Sequence, residues 1–142
     1  MLNKSGLYLR TLGDFVEARA AFERALTIDE NVYGKDHPNV AIRVNNLGLV
    51  LKDLGELAEA RKCYERATKI GEKVYGKDHP QVAMYVGNLG RVLRGQGDRD
   101  GAREHFERTL RIFRMFFDEN HPFTRTARTD LESLDRVVCN GV

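Results

Sequence analysis

The chain has 142 residues, of which 42% are hydrophobic and 31% charged, with three prolines and no tryptophan, the composition of one folded globular unit rather than of a disordered segment. Lys and Arg number 23 against 21 Asp and Glu, a net charge of +2, too even a balance to announce a nucleic acid or a membrane by itself. No run approaches the roughly 20 apolar residues of a membrane span, Met1-Leu2-Asn3-Lys4 opens no export signal, and Cys63 and Cys139 belong to no CxxC or Cys/His cluster, so the expectation is reduced thiols, no metal site and a cytoplasmic location.

A repeat of 42 residues sets out the elements. Asp36-His37-Pro38, Asp78-His79-Pro80 and Asn120-His121-Pro122 follow one another at that interval, and residues 34–75 share 19 of 42 positions with residues 76–117. Each period is therefore one structural unit. Residues 1–33 carry the later part of a period: Gly6, Gly13, Ala18 and Phe22 are in register with Gly48, Gly55, Ala60 and Tyr64, but the Asp-His-Pro start is missing. The expectation is an incomplete first hairpin that turns at Gly13, with Met1 partway along its first helix, as in a fragment or an open-ended unit.

Residues 34–75 form the first full unit. Val40, Val44, Leu47 and Leu51 advance by helical steps along one stripe. Gly55 suits the left-handed turn that ends a helix, and Ala60, Tyr64, Ala67, Ile70 and Val74 then mark a second helix. Asp36, Asp78 and Asn120 are the expected N-caps, each with a proline two residues on, inside the first turn. The periodic histidines then serve capping or loop packing, because one address repeated along a stack does not converge on one ion; neither a metal nor a cofactor is expected.

Residues 76–117 repeat the hairpin. Thr109 replaces the small Ala25 and Ala67, and Phe113, Met115, Phe116 and Phe117 form an apolar exit, part of which is expected to pack on the last helix. That helix, residues 120–138, keeps Leu131 but has Glu132 and Asp135 on one face, as suits a capping helix with a solvated side. Residues 139–142 are a tail.

The small residues at Gly48, Ala60 and Ala67 around the aromatic Tyr64, matched by Gly90, Ala102 and Phe106 and by Gly6, Ala18, Phe22 and Ala25, resemble the tetratricopeptide-repeat (TPR) consensus. The 42-residue period, the Tyr-Gly-Lys-Asp-His-Pro junction and Asn-Asn-Leu-Gly in the first helix resemble the kinesin light chain type of repeat. The resemblance implies an all-α fold, a right-handed α-solenoid of about three stacked hairpins plus a C-terminal capping helix, forming a single domain over residues 1–142. It implies a scaffold that binds protein or peptide segments, and no motor role is carried over, since no long heptad region precedes the repeats.

The binding face of such a solenoid is the concave groove of the first helices. Ile42, Asn45, Leu49 and Lys52 lie opposite the core stripe, with Met84, Gly87, Arg91 and Arg94 as counterparts, then Thr126, Thr129, Ser133 and Arg136. Arg10, Lys52, Arg94 and Arg136 form one basic column, suited to an acidic peptide; the competing reading places each cation near a helix C-terminus, where the dipole alone favours it. Asn46 and Asn88, with Asp130 in register, are candidates for holding a peptide backbone or for bonding neighbouring helices, the latter role suiting Asn46 and Asn88 better than Asn45. No carboxylate clamp is expected, because Gly87 stands where a second polar residue would be wanted. Arg19, Glu23 and Arg24, with their copies at 61, 65, 66 and 103, 107, 108, read as a solvated convex face.

Catalysis is not expected: Gly95-Gln96-Gly97 is an inter-helix turn with no phosphate-binding lysine after it, and no nucleophile–base pattern stands outside the repeat. The alternatives are a structural or self-association role through the solenoid ends, and, behind it, nucleic-acid binding through the Arg-rich C-terminal half.

Overall fold

The computed structural model describes residues 4–140, with side chains described for residues 13–135. Within them lie six helices: α1 Lys4–Tyr33, α2 Pro38–Asp53, α3 Leu57–Tyr75, α4 Pro80–Gly95, α5 Arg99–Phe116 and α6 Pro122–Asn140. Consecutive helices pack on one another in chain order, α2 on α3 and α4 on α5 most extensively, and α6 also touches α4. The result is an α-solenoid. No helix among the described residues is long and apolar enough to cross a membrane.

The hairpins are held by a close approach that glycine alone permits. A Cβ built on Gly48 would lie 2.8 Å from Tyr64 Cε1, and one on Gly90 would lie 2.7 Å from Phe106 Cε1. Each ring thus packs against bare helix backbone, almost wholly buried. Leu47, Leu51, Leu89 and Leu93 close around the rings with Ala60, Ala102 and Leu134. Dispersion at interior density depends on such gap-free contact. Burial pushes the Tyr64 phenol well above the ordinary tyrosine range, and its hydroxyl finds no hydrogen-bond partner among the described residues.

The tight turns after α2 and α4 use Gly55 and Gly97 at φ +83° and +87°, a region where a side chain is strained. At Gly13, in the same register, the structure departs from the expected hairpin: α1 runs unbroken through this residue to Tyr33. A turn breaks intrahelical hydrogen bonds, and the packing of a first helix against a second must offset that loss. In the two full hairpins α2 on α3 and α4 on α5 supply that packing.

The caps also differ from expectation. His37 and His79, not the aspartates before them, are the N-caps: each ring Nδ1 accepts the backbone N–H two residues on, from Asn39 and Gln81, at 3.0 Å. His121 does the same for Phe123 at 3.1 Å, in place of Asn120. Each imidazole stacks on an aromatic at the end of the preceding helix, Tyr33 or Tyr75 as its last residue or Phe117 just beyond it, with centroids 4.4, 4.4 and 4.1 Å apart. The aspartates are drawn away to cations on the helix behind: Lys73 donates to Asp36 at 2.8 Å and Arg111 to Asp78 at 3.1 Å. The ammonium of Lys73 holds the Asp36 carboxyl below its usual range.

The convex arginines do more than solvate a face. Arg66 reaches back to Glu30 and the Lys35 carbonyl, and Arg108 to Glu72 and the Lys77 carbonyl, the same inter-repeat staple one period apart. Arg19 reaches forward to Glu59 and Arg103 to Asp135. At the far end Phe113, Phe117 and Leu131 pack with Ala127 against Leu110 and Ile112, so the apolar exit does seat the last helix, whose Glu132 and Asp135 are exposed. Thr109 stays buried by bonding its hydroxyl to the His105 carbonyl at 2.9 Å, with the Ala83 carbonyl at 3.2 Å.

Candidate functional site

The first helices α2, α4 and α6 lie side by side and present the residues that face away from the core. Ile42, Leu49 and Met84 are 43%, 41% and 41% exposed, a row of large apolar side chains left in water by helices whose opposite stripe is fully buried. Asn45, Asn46, Lys52, Asn88, Arg91 and Arg94 are half-buried on the same helices. The side chains of Arg10 and Arg136, the outer members of the basic column, lie outside the described residues.

Between α4, α5 and α6 this face deepens into a cleft of about 250 Å³, lined by Met84, Gly87, Asn88, Arg91, Phe113, Phe123, Thr126 and Asp130. Gly87 is its floor. A Cβ there would rest 3.4 Å from the Thr109 methyl, so a larger side chain would fill the cleft. The walls are mostly apolar, with the Phe123 ring tilted against Phe113 and edge-on to Phe117 and His121, and the polar groups gather at one side.

Those polar groups form a chain across the helices. Asn45 Oδ1 accepts from Asn88 Nδ2 at 2.8 Å, Asn88 Oδ1 accepts from Arg91 Nη1 at 3.2 Å, and Arg91 Nε and Nη2 both donate to Asp130 Oδ2, at 3.1 and 2.9 Å. Arg94 donates to Ser133 Oγ at 2.6 Å, stands 3.8 Å from Asp130 Oδ1, and lies over the Phe106 ring at 5.5 Å. Asp130, only 15% exposed, thus neutralises the pair of arginines from within the chain. Charge-assisted bonds of this kind contribute about 1.5–3 kcal/mol each where they are sheltered from water.

Two sequence expectations change. The inter-helix amide bond uses Asn45 with Asn88, and Asn46 has no part in it, because Asn88 of α4 approaches α2 one position off the 42-residue register. The basic column is not a row of free cations: Arg94 is engaged by α6, while Lys52, in the last turn of α2 as Arg94 is in α4, forms no ion pair among the described residues. The role of Asp130 escaped the sequence reading. Its signal was an acid in an otherwise asparagine column, one helix after the extra basic residue Arg91.

Comparison with known proteins identifies the repeats. The profile described as tetratricopeptide repeat matches residues 1–48, 41–115 and 83–135. No curated protein sequence matches. Among solved structures, BtubC (BKLC) from P. vanneervenii is similar at 23% identity and a TM-score of 0.81, over 89% of this chain and 50% of that one. Two structures of a Podospora anserina protein of kinesin light chain type, with nearly identical TPR-like repeats, are similar at 22% identity with TM-scores of 0.73 and 0.71, each over 91% of this chain and 60% of that one. The chain therefore spans about half to three-fifths of these structures, and the likeness is one of fold. With its 42-residue period, paired helices and glycine-seated aromatics, the chain belongs to the tetratricopeptide-repeat family.

Proposed function

We propose that the chain is a non-catalytic scaffold that binds an extended peptide segment in the groove formed by α2, α4 and α6. TPR folds generally serve as protein-interaction scaffolds. The observation that carries the finer reading is the cleft beside Met84 and Phe123, an apolar recess of about 250 Å³ edged by the amide and guanidinium chain of Asn88 and Arg91. An apolar peptide side chain suits the recess, and the amide chain suits a peptide backbone. Acid preference, in this reading, falls to Lys52 at the open end of the groove, since Asp130 already occupies Arg91 and stands beside Arg94.

Most cations of the Arg-rich half are engaged within the fold: of the ten arginines from Arg91 to Arg136, seven, Arg91, Arg94, Arg103, Arg108, Arg111, Arg114 and Arg128, lie within ion-pair distance of an acid. That favours a peptide over a nucleic acid, which needs unpaired cations along its backbone. The test is selection from a peptide library, followed by titration against wild type, Thr126→Trp and Lys52→Glu at two salt concentrations. Thr126 is exposed, so its replacement fills the cleft mouth without touching the core. Selected peptides should bind Thr126→Trp at least about tenfold more weakly, a loss of about 1.4 kcal/mol, and acidic ones should lose affinity for Lys52→Glu. Peptides that bind all three proteins alike would remove the groove from consideration.

A further inference from the structure

The core stripe of the second helices is covered in two repeats and open in the first. In α3, Ala60, Tyr64, Ala67 and Ile70 are at most 3% exposed, and in α5 Ala102, Phe106, Thr109 and Ile112 at most 4%. Their counterparts in α1 are different: Ala18, Phe22 and Ala25 are only half-buried, Ile28 is 59% exposed and Val16, on the same helix, 53%. What covers the stripe elsewhere is the preceding first helix, seated through Gly48 on Tyr64 and through Gly90 on Phe106. By sequence, the segment before Gly13 is such a helix, with Gly6 in register with Gly48 and Gly90. In α1 it continues straight on, so that residues 6 and 22 stand about 24 Å apart at 1.5 Å per residue and cannot meet within one chain.

We propose that a second copy of this chain covers the stripe: two α1 helices pack antiparallel and exchange the segments before Gly13, bringing Gly6 of each copy against Phe22 of the other. Glycine and aromatic are 16 residues apart in the first repeat as in the second and third, so an antiparallel pair with its two-fold axis at residue 14 reproduces the hairpin contact twice at once, the isologous form that closes a dimer. The exchange keeps every intrahelical bond of α1 and buries apolar surface otherwise left in water. This surface is separate from the groove and does not depend on the groove reading.

The test is light scattering on the full chain across a concentration series, for wild type and Gly6→Leu, with Asp14→Cys in a Cys63→Ser, Cys139→Ser background as a cross-linking probe on the axis. The expected result is a mass of two chains that falls to one on dilution, a dissociation midpoint raised about tenfold or more by Gly6→Leu, and a disulfide-linked dimer for Asp14→Cys. A single-chain mass at every concentration overturns the proposal. If Gly6→Leu then also lowers the melting temperature, the chain's own segment folds back at Gly13 instead. A dimer that ignores Gly6→Leu and leaves Asp14→Cys unlinked overturns it equally, placing the contact elsewhere.

Discussion

Gly90→Ala isolates the contact on which each hairpin depends. In an open helix interior this change favours folding by about 1 kcal/mol. At Gly90 the new methyl would stand 2.7 and 2.9 Å from Phe106 Cε1 and Cδ1 and 3.2 Å from His105 Cβ. Phe106 is 1% exposed and has no open side to retreat into, so overpacking of about 1–3 kcal/mol applies, at the upper end because two ring atoms are met at once. The net expectation is a loss of about 1–2 kcal/mol, or roughly 3–6 °C in melting temperature for a chain of this size. Urea unfolding followed by circular dichroism measures it, with Gly13→Ala as the reference: nothing lies within 4 Å of a Cβ there, so that variant should gain up to about 1 kcal/mol. In a Phe106→Leu background the penalty at Gly90 should shrink by about 1 kcal/mol or more. A Gly90→Ala protein as stable as Gly13→Ala would refute the reasoning, and a Gly13→Ala protein that loses stability would restore a turn at that residue.

Other expectations follow from single groups. His79→Ala removes the acceptor for Gln81 N–H and should cost about 0.5–2 kcal/mol, while His79→Asn, which keeps an N-cap acceptor, should recover part of it in the same unfolding assay. Tyr64→Phe removes a buried hydroxyl that has no partner among the described residues and matches Phe106 in the next repeat, so it should stabilise by about 1 kcal/mol. It should also flatten the alkaline limb of stability. The folded-state pKa of Tyr64 is raised by burial, so the native chain keeps a proton that the unfolded chain releases near pH 10; that contribution is full below pH 10 and is lost as pH rises above it. Thermal melts from pH 8 to 11 should show wild type falling more steeply than Tyr64→Phe, and parallel curves would count against the burial argument. Asp130→Ala should free Arg91 in the cleft and, in the peptide titrations, raise affinity for acidic peptides; unchanged selectivity would mean that Asp130 does not set the charge of the groove.

The repeat, the helix type and the core stripe were legible because they depend on period and spacing, which the chain states three times over. Gly48 and Gly90 were visible as small residues in register with the aromatics Tyr64 and Phe106, but that each ring packs on the glycine of its own hairpin was decided by the structure. Local chemistry misled where two acceptors stood side by side. Asp36 and His37 can both cap a helix, and the choice went to histidine because Lys73, 37 residues away, holds the carboxylate while Tyr33 stacks on the ring. The groove showed the same limit. Its basic and asparagine columns were visible in register, but the offset by which Asn88 meets Asn45, and the reach of Asp130 to Arg91, depend on how far one helix slides past the next. Sequence alone thus determined the repeating unit and its buried face, which periodicity dictates; tertiary structure decided which polar groups pair and whether Gly13 turns, because both depend on neighbours brought close only when the helices stack.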